Sequence, residues 1–297
     1  MAAVPNAVYE AFLCAPSDLR DMRLFSERPE RVRRVEIAVE GLLFVLTQDD
    51  ARWKMEAPVA MRMDQGRVSA AVGQLLRLTG EELGVRSEEL GVRSEELGVR
   101  SCVEVQTEEG AVSVTFTRDD EEGHFYRVTM TGSAEMYQVA CSNVPPAFVD
   151  GQAALDLCDR TMLSFADDAV RKVTVRRTDG TGEAVQRGVG AEAGWRPTEE
   201  ARELDTDAFE PFLAKINLLV AERIERPVAA QDDPYAFGAP WLEITLDVDA
   251  ADAIRKTLVI GGEASGDGRY AMIRGQDVVF VLGQESLAIL EKRVVSE

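Results

Sequence analysis

The sequence contains a single histidine, His124, among its 297 residues. One histidine excludes every metal site that needs two of them, and it permits at most one serine–histidine–aspartate arrangement. His124 stands at the start of a predicted strand, which favours a surface turn over a catalytic base. The nucleophile-elbow, P-loop, dinucleotide-binding, H-E-x-x-H and paired C-x-x-C motifs are also absent. We therefore predict a protein that is not an enzyme and has no catalytic, cofactor-binding or metal-binding residues.

Cysteine is scarce, and the four residues Cys14, Cys102, Cys141 and Cys158 lack the spacing of a metal site. They are interpreted as buried thiols, with one or two disulfides as an open alternative. The N-terminus carries neither the basic residues nor the apolar core of a signal peptide, and no apolar run is long enough to span a membrane. The chain as written is therefore expected to be soluble, with its compartment left open.

Positive charge is also scarce, because 33 basic residues stand against 53 acidic ones and the formal net charge is −20. A field of this sign repels phosphate backbones and anionic lipid headgroups, so nucleic acid and bare membrane are not expected partners. The hydrophobic fraction of 45% and the charged fraction of 29% are typical of a folded chain. The length is sufficient for two cores of ordinary size.

Two stretches of the chain, 138 residues apart, follow the same pattern position by position. After a small insertion, Trp53 corresponds to Trp195. Self-similarity of this kind indicates an internal duplication. The matched positions are Leu19 and Leu157, Asp21 and Asp159, Ser26 and Ser164, Val32 and Val170, Arg33 and Arg171, and Val35 and Val173.

The predicted fold class is α+β, with two tandem repeats that span residues 1–148 and 149–297. Alternating apolar residues predict that each repeat contains an antiparallel sheet or meander, and a stripe of apolar residues at helical spacing predicts a central helix that covers it. Asp64 is expected to cap the first helix. Asp207 and Glu210 have the spacing of a capping box for the second helix, with Pro211 in its first turn.

The heptapeptide Glu-Glu-Leu-Gly-Val-Arg-Ser occurs three times in succession across residues 81–101. A coiled coil is disfavoured because the leucine and valine of each copy lie two residues apart and point to different sides of a helix. The pattern predicts an exposed, tolerated insertion in the first repeat, with no core element and no counterpart in the second.

Carboxylates cluster at two places, in the run 119–122 and at Asp247, Asp249 and Asp252. Both could hold calcium in principle, but neither has the spacing of an EF-hand loop. Hairpin turns of an acidic protein collect carboxylates without any ligand. A solvated surface is therefore the favoured interpretation of both clusters.

Aromatic residues offer the remaining candidates for a binding site. Trp53 and Trp195 could stack on a ligand, although burial of both between sheet and helix is favoured. A small-ligand or glycan site could instead use exposed aromatic side chains, such as Tyr126, Tyr137 and Trp241.

The order of strand pair, tryptophan, proline and capped helix carries a family resemblance. Its residues are Asp21-Met22-Arg23-Leu24-Phe25, Val35-Glu36-Ile37, Trp53-Lys54-Met55-Glu56-Ala57-Pro58, Asp64, Leu75-Leu76, Trp195, Leu218-Leu219 and Gly268-Arg269-Tyr270. They resemble two tandem copies of the family known as domain of unknown function 4340. The resemblance implies no activity and no site residues. It implies proteins that are often membrane-anchored at the N-terminus and encoded beside ABC-transporter components of the gliding-motility type.

The leading hypothesis for function is a non-catalytic module that binds a protein partner, as an accessory to an ABC-transporter or envelope-associated complex. Envelope association would require an N-terminal anchor that this sequence does not show. One alternative is a hydrolase that uses carboxylates in the cleft between the repeats. The other is a module that binds a small ligand or a glycan.

Overall fold

A computed structural model describes residues 23–25, 28–83, 100–118, 124–166, 168–188, 194–226, 234–248 and 254–296. These residues divide into two compact units. The first holds residues 23–57 and 63–154, and the second holds residues 58–62 and 155–296. Within the described residues, no helix has the length and apolar character needed to cross a membrane.

In its described residues, the first unit holds an antiparallel sheet and the helix α1 (Gln65–Leu75). Its strands follow the order β3-β2-β1-β6-β7-β8-β9-β5, so the connection from β5 to β6 crosses the width of three strands. The bounds, with the short β4 that belongs to the second unit, are β1 (Val32–Val39), β2 (Leu42–Asp49), β3 (Arg52–Ala57), β4 (Met61–Arg62), β5 (Glu81–Glu82), β6 (Arg100–Thr107), β7 (Ala111–Arg118), β8 (Phe125–Met130) and β9 (Met136–Ala140).

The second unit holds an eight-stranded antiparallel sheet, in the order β13-β12-β11-β16-β17-β18-β19-β15, and a separate ribbon of β10 and β14. Its strands are β10 (Thr161–Ser164), β11 (Val170–Arg177), β12 (Gly182–Arg187), β13 (Trp195–Pro197), β14 (Leu218–Val220), β15 (Arg223–Arg226), β16 (Leu242–Val248), β17 (Ile254–Ala264), β18 (Gly268–Ile273) and β19 (Val279–Gly283). Its helices are α3 (Thr206–Asn217) and α4 (Gln284–Leu290), and a short α2 (Gly151–Leu155) stands at the boundary between the units.

The expected antiparallel sheets are confirmed, and the chain is sheet-rich with few helices. The strands form where apolar and polar residues alternate, because alternation gives a sheet one buried face. In β1, Val35, Ile37 and Val39 are buried, and the intervening residues are more exposed. In β11, Val173 and Val175 repeat the pattern.

In each sheet, residues that pair from one strand to the next form a straight row across the sheet. β1 and β11 also carry a register shift at the same place, after Val32 and after Val170. The first row is Val39, Ser101, Phe116, Val128, Tyr137 and Glu82. The second row is Arg177, Leu242, Ile260, Ala271, Phe280 and Ile224. Both rows cross six strands in the same sequential order of the strands along the chain. Their first residues, Val39 and Arg177, lie 138 residues apart.

The start of α1 is fixed to strand β3. The Asp64 side chain accepts a hydrogen bond from the backbone N–H of Arg67 at 3.0 Å, which confirms the expected cap. The Gln65 side chain accepts from the backbone N–H of Trp53 at 2.7 Å and donates to the Trp53 carbonyl at 2.9 Å. Trp53 is consequently held in the core, where 4% of it is exposed.

The start of α3 differs from the predicted capping box. Asp205 is the cap, and its side chain accepts from the backbone N–H of Ala208 at 3.0 Å. Asp207 lies inside the first turn, where its charge still favours the helix dipole. Pro211 is therefore the sixth helical residue rather than part of the first turn, and the Asp207 carbonyl receives no helical hydrogen bond from it.

The expectation that the heptapeptide insert holds no core element is wrong at its C-terminal end, and its N-terminal end forms a short strand whose two residues are not buried. Glu81 and Glu82 form β5 and pair with β9, while Arg100 and Ser101 begin β6. Ser101 is 1% exposed. The second unit has a connection of similar length, residues 227–241, between β15 and β16.

Candidate functional site

A cavity in the second unit has a volume of about 460 Å³. Its apolar floor consists of Met162, Val278 and Phe280, all buried. Strand β4 and the loop between β18 and β19 supply its walls and rim. A volume of this size is sufficient for one small ligand or for one or two apolar side chains of a partner.

The rim of this cavity carries three charged side chains, Arg62, Asp159 and Asp277. Arg62 Nη2 lies 3.3 Å from Asp159 Oδ2 and donates to the Thr161 carbonyl at 3.4 Å. The other oxygen, Asp159 Oδ1, accepts from the backbone N–H of Thr161 at 2.9 Å. Both oxygens of Asp159 are thus occupied, and Arg62 and Asp159 neutralise each other at the mouth.

The ribbon of β10 and β14 lies beside the cavity and presents apolar side chains to solvent. Leu218 is 59% exposed and Val220 is 45% exposed. They are two residues apart on one strand and therefore point to the same face. Thr161 pairs with Val220 and also lines the cavity, so the ribbon and the cavity are adjacent.

A second cavity in the same unit, of about 330 Å³, is lined by Trp241. The Arg269 guanidinium carbon lies 4.5 Å from the centre of the Trp241 ring, a cation–π contact. Arg269 Nη1 also donates to the Gly261 carbonyl at 3.1 Å, and Arg269 pairs with Glu263. Arg269 of the chain itself therefore already contacts the Trp241 ring, where a ligand could otherwise stack.

The aromatic residues considered as an exposed ligand platform separate into different environments. Tyr126 is buried against the Phe116 ring at 6.0 Å, so its proposed exposure is wrong. Burial, and to a lesser degree the neighbouring Cys141, raises the pKa of its hydroxyl. Tyr137 and Trp241 are half-buried, in different units. The three residues do not form one platform.

The two matched tryptophans are not equally buried. Trp53 lies in the core as expected. Trp195 is only half-buried, so the expected burial of both is wrong for this residue. Its ring packs edge-on against Phe209 of α3 at 5.0 Å, and the guanidinium of Arg187 lies 6.0 Å from it. β13 is the last strand of its sheet in the part of the chain that the structure describes, so one side of Trp195 has no neighbouring strand there.

The remaining candidates do not converge. His124 is exposed immediately before β8, and its carbonyl accepts from the Cys141 backbone N–H. Cys102, Cys141 and Cys158 are thiols rather than disulfides, and Cys14 lies outside the described residues. In the acidic clusters, Asp247 pairs with Arg255 at 2.8 Å. Residues 119–122, Asp249 and Asp252 lie outside the described residues. Within the described ranges, no group of three potential ligands is placed to hold a metal ion.

These features define a sheet-rich chain whose second unit carries a cavity and an exposed apolar ribbon. The family model for a domain of unknown function (DUF4340) matches residues 53–240, which is more than half of the chain. The chain therefore belongs to that family. The match includes parts of both units. No curated protein and no solved structure matches the chain significantly.

Sequence reasoning did not find the cavity, because its residues come from three distant segments, 59–62, 159–162 and 275–280. None of these segments carries a motif. The exposed pair on β14 left one local signal. Leu218, Leu219 and Val220 form an unbroken apolar run, whereas a strand with one buried face alternates.

Proposed function

We propose that the chain is a non-catalytic module that binds a protein partner through its second unit. The observation that carries this proposal is the exposed pair Leu218 and Val220 on β14. Scattered apolar residues are normal on a protein surface, but two on one strand face beside a cavity resemble a contact site. A partner that covers both would remove apolar area from water, which stabilises the complex.

The role as an accessory to an ABC-transporter or envelope-associated complex is part of this proposal. It is supported by membership of the family and by the resemblance stated above. The acidic net charge of −20 favours a partner with a basic surface over one with an acidic surface.

We further propose that the two units arose by duplication and share one fold. The supporting observations are the identical order of eight strands, the matching cross-sheet rows and the aspartate caps of α1 and α3. The matched register shifts after Val32 and Val170 add to them, because bulges are specific features of a fold. On this proposal, the fold is a tandem repeat in which α1 lies between β3 and β5 of the first copy and α3 lies between β13 and β15 of the second.

A carboxylate-based hydrolase is the competing function. Such an enzyme needs one carboxylate that transfers a proton and a second that acts on the substrate or on water. Asp159 and Asp277 are the two carboxylates of the cavity of about 460 Å³. Both oxygens of Asp159 already have partners, the Thr161 backbone N–H and Arg62. The geometry therefore supports binding better than catalysis at this place.

The test is site-specific photo-crosslinking in the native host. A photo-reactive amino acid at Leu218 should give one discrete adduct, and mass spectrometry should identify a transport-complex or envelope protein in it. The matched control carries the same group at Phe125, an exposed apolar position in the first unit. An adduct of equal yield at both positions, or none at Leu218, would contradict the proposal.

A further inference from the structure

We infer that the 460 Å³ cavity receives a short protein segment that carries an apolar anchor side chain next to a lysine or arginine. This inference rests on the proposed function and assigns the partner's chemistry at one place on the second unit. It follows from the lining of the cavity, from the charges at its rim and from the adjacent ribbon.

The floor of the cavity is suited to an apolar anchor. Met162, Val278 and Phe280 are 8%, 5% and 4% exposed, and Met61 and Val59 stand at the sides. Methionine side chains adapt to the shape of different apolar groups. The buried Phe280 adds an aromatic side chain to the same lining. An apolar side chain placed here would contact these three buried residues, which removes part of its surface from water.

The rim selects for positive charge. Arg62 and Asp159 neutralise each other, so the net charge at the mouth comes from Asp277. Asp277 is exposed, and its side chain has no hydrogen-bond or ion-pair partner among the described residues. A cationic group beside the anchor would meet this carboxylate, and the acidic field of the whole chain would assist its approach.

The adjacent ribbon favours a protein segment over a small molecule. Thr161 lies at the junction, since it lines the cavity and pairs with Val220 of β14. An extended segment anchored in the cavity can continue over Val220 and Leu218, two steps along the same strand face. A small cationic molecule would fill the cavity and leave those two side chains in water.

The experiment is a titration of the full chain followed by NMR of its methionine methyl groups. The probe is the acetylated, amidated tetrapeptide Lys-Leu-Phe-Lys. The comparison probes are the same peptide with glutamate in place of lysine, and benzylamine. The lysine peptide should shift the methyl signals of Met61 and Met162 saturably and more weakly at high salt. The glutamate peptide should leave them unchanged.

Two pairs of matched variants locate the site. Ala60→Trp places a large ring in the cavity from an exposed position, and Ala239→Trp makes the same change at an exposed position outside it. Asp277→Lys reverses the rim charge, and Asp267→Lys does so at the opposite end of β18. Ala60→Trp and Asp277→Lys should each weaken binding of the lysine peptide about tenfold or more. The two controls should not.

Three results would overturn the inference: equal binding of the two peptides, binding of benzylamine as tight as that of the lysine peptide, or unchanged binding in Ala60→Trp and Asp277→Lys. Failure here is distinguishable from failure of the proposed function. A crosslink at Leu218 without peptide binding would overturn only the inference about the cavity. Peptide binding without a crosslink would overturn the use of Leu218 and support the cavity.

Discussion

Arg177 and Glu183 form a buried ion pair, with 2.6 Å between Nη1 and Oε1. The pair also holds the C-terminal segment, because Glu183 Oε2 accepts from the Val294 backbone N–H at 2.8 Å and Arg177 Nη2 donates to the Lys292 carbonyl at 2.9 Å. Under the proposed duplication, the equivalent positions of the first unit hold apolar residues, the buried Val39 and Phe44.

Removal of one member of this pair should be more damaging than removal of both. Glu183→Gln leaves the Arg177 charge buried without its partner, which costs about 3–5 kcal/mol of unfolding free energy. The double change Arg177→Met with Glu183→Leu should cost less, because no charge remains buried. Urea unfolding of the three variants measures the difference. Arg33→Ala, at an exposed pair with Glu108, is the control and should cost less than about 1 kcal/mol. A smaller loss in Glu183→Gln than in the double variant would disprove the argument.

Ser101→Ala should stabilise the chain. The Ser101 hydroxyl is buried and has no hydrogen-bond partner among the described residues. Its removal should raise the unfolding free energy by about 1 kcal/mol, since an unsatisfied buried polar group costs about 1–3 kcal/mol. The control is Ser113→Ala. The Ser113 hydroxyl donates to Glu104 at 3.1 Å, so its removal should lower the unfolding free energy. Destabilisation by Ser101→Ala in thermal unfolding would show that the hydroxyl has a partner.

Deletion of one heptapeptide copy should be tolerated, but deletion of two should not. Glu82 and Ser101 lie in one row, four strand spacings apart, which is about 19 Å across a flat sheet. With two copies removed, five residue steps remain and reach at most about 18 Å. With one removed, twelve steps remain and reach about 40 Å. Differential scanning calorimetry should show a nearly unchanged Tm for the shorter deletion. A drop of several degrees is expected for the longer one, and equal Tm values would refute the geometric limit.

Trp53→Ala should cost about 3–5 kcal/mol, as expected for a large buried side chain. Trp195→Ala should cost less, because that ring is half-exposed at an edge strand and loses fewer contacts. Urea unfolding of the two variants gives the comparison directly. A larger loss at Trp195 would mean that the ring contributes more than its contact with Phe209 indicates.

Cys158 should resist alkylation in the folded chain. Burial, followed by the nearby Asp156 and Asp159 charges, raises the pKa of its thiol from 9.0 to about 12. The folded state therefore keeps a proton that the unfolded state loses above pH 9, so this thiol lowers stability as pH rises from about 9 to 12. Mass spectrometry after iodoacetamide treatment at pH 8.5 should find Cys102 and Cys141 modified before Cys158. Early modification of Cys158 would show that its segment opens readily.

The strands of both units could be predicted from the sequence because alternation of apolar and polar residues is a local signal. In β1, for example, the alternating residues Val35, Ile37 and Val39 form the buried face. The cap of α3 was misplaced because Asp205 and Asp207 are both suitable cap residues. Only the backbone direction shows which side chain reaches a free N–H group.

The structure of the ends of the heptapeptide insert and the position of the cavity could not be predicted from the sequence alone. A repeated sequence offers the same residues in every copy, so the repeat itself does not show that its last two residues, Arg100 and Ser101, belong to a strand. The cavity depends on three distant segments, and chain order gives no information about how their side chains converge.

The placement of the two ends of the heptapeptide array has a consequence for how the gene can change. Every copy begins with the two glutamates that β5 requires and ends with the arginine and serine that open β6. Replication slippage that adds a whole copy therefore leaves both strands with their residues, wherever in the array it occurs. An added copy therefore leaves β5 and β6 unchanged, while the lower bound of copy number is set by the distance between the two strands.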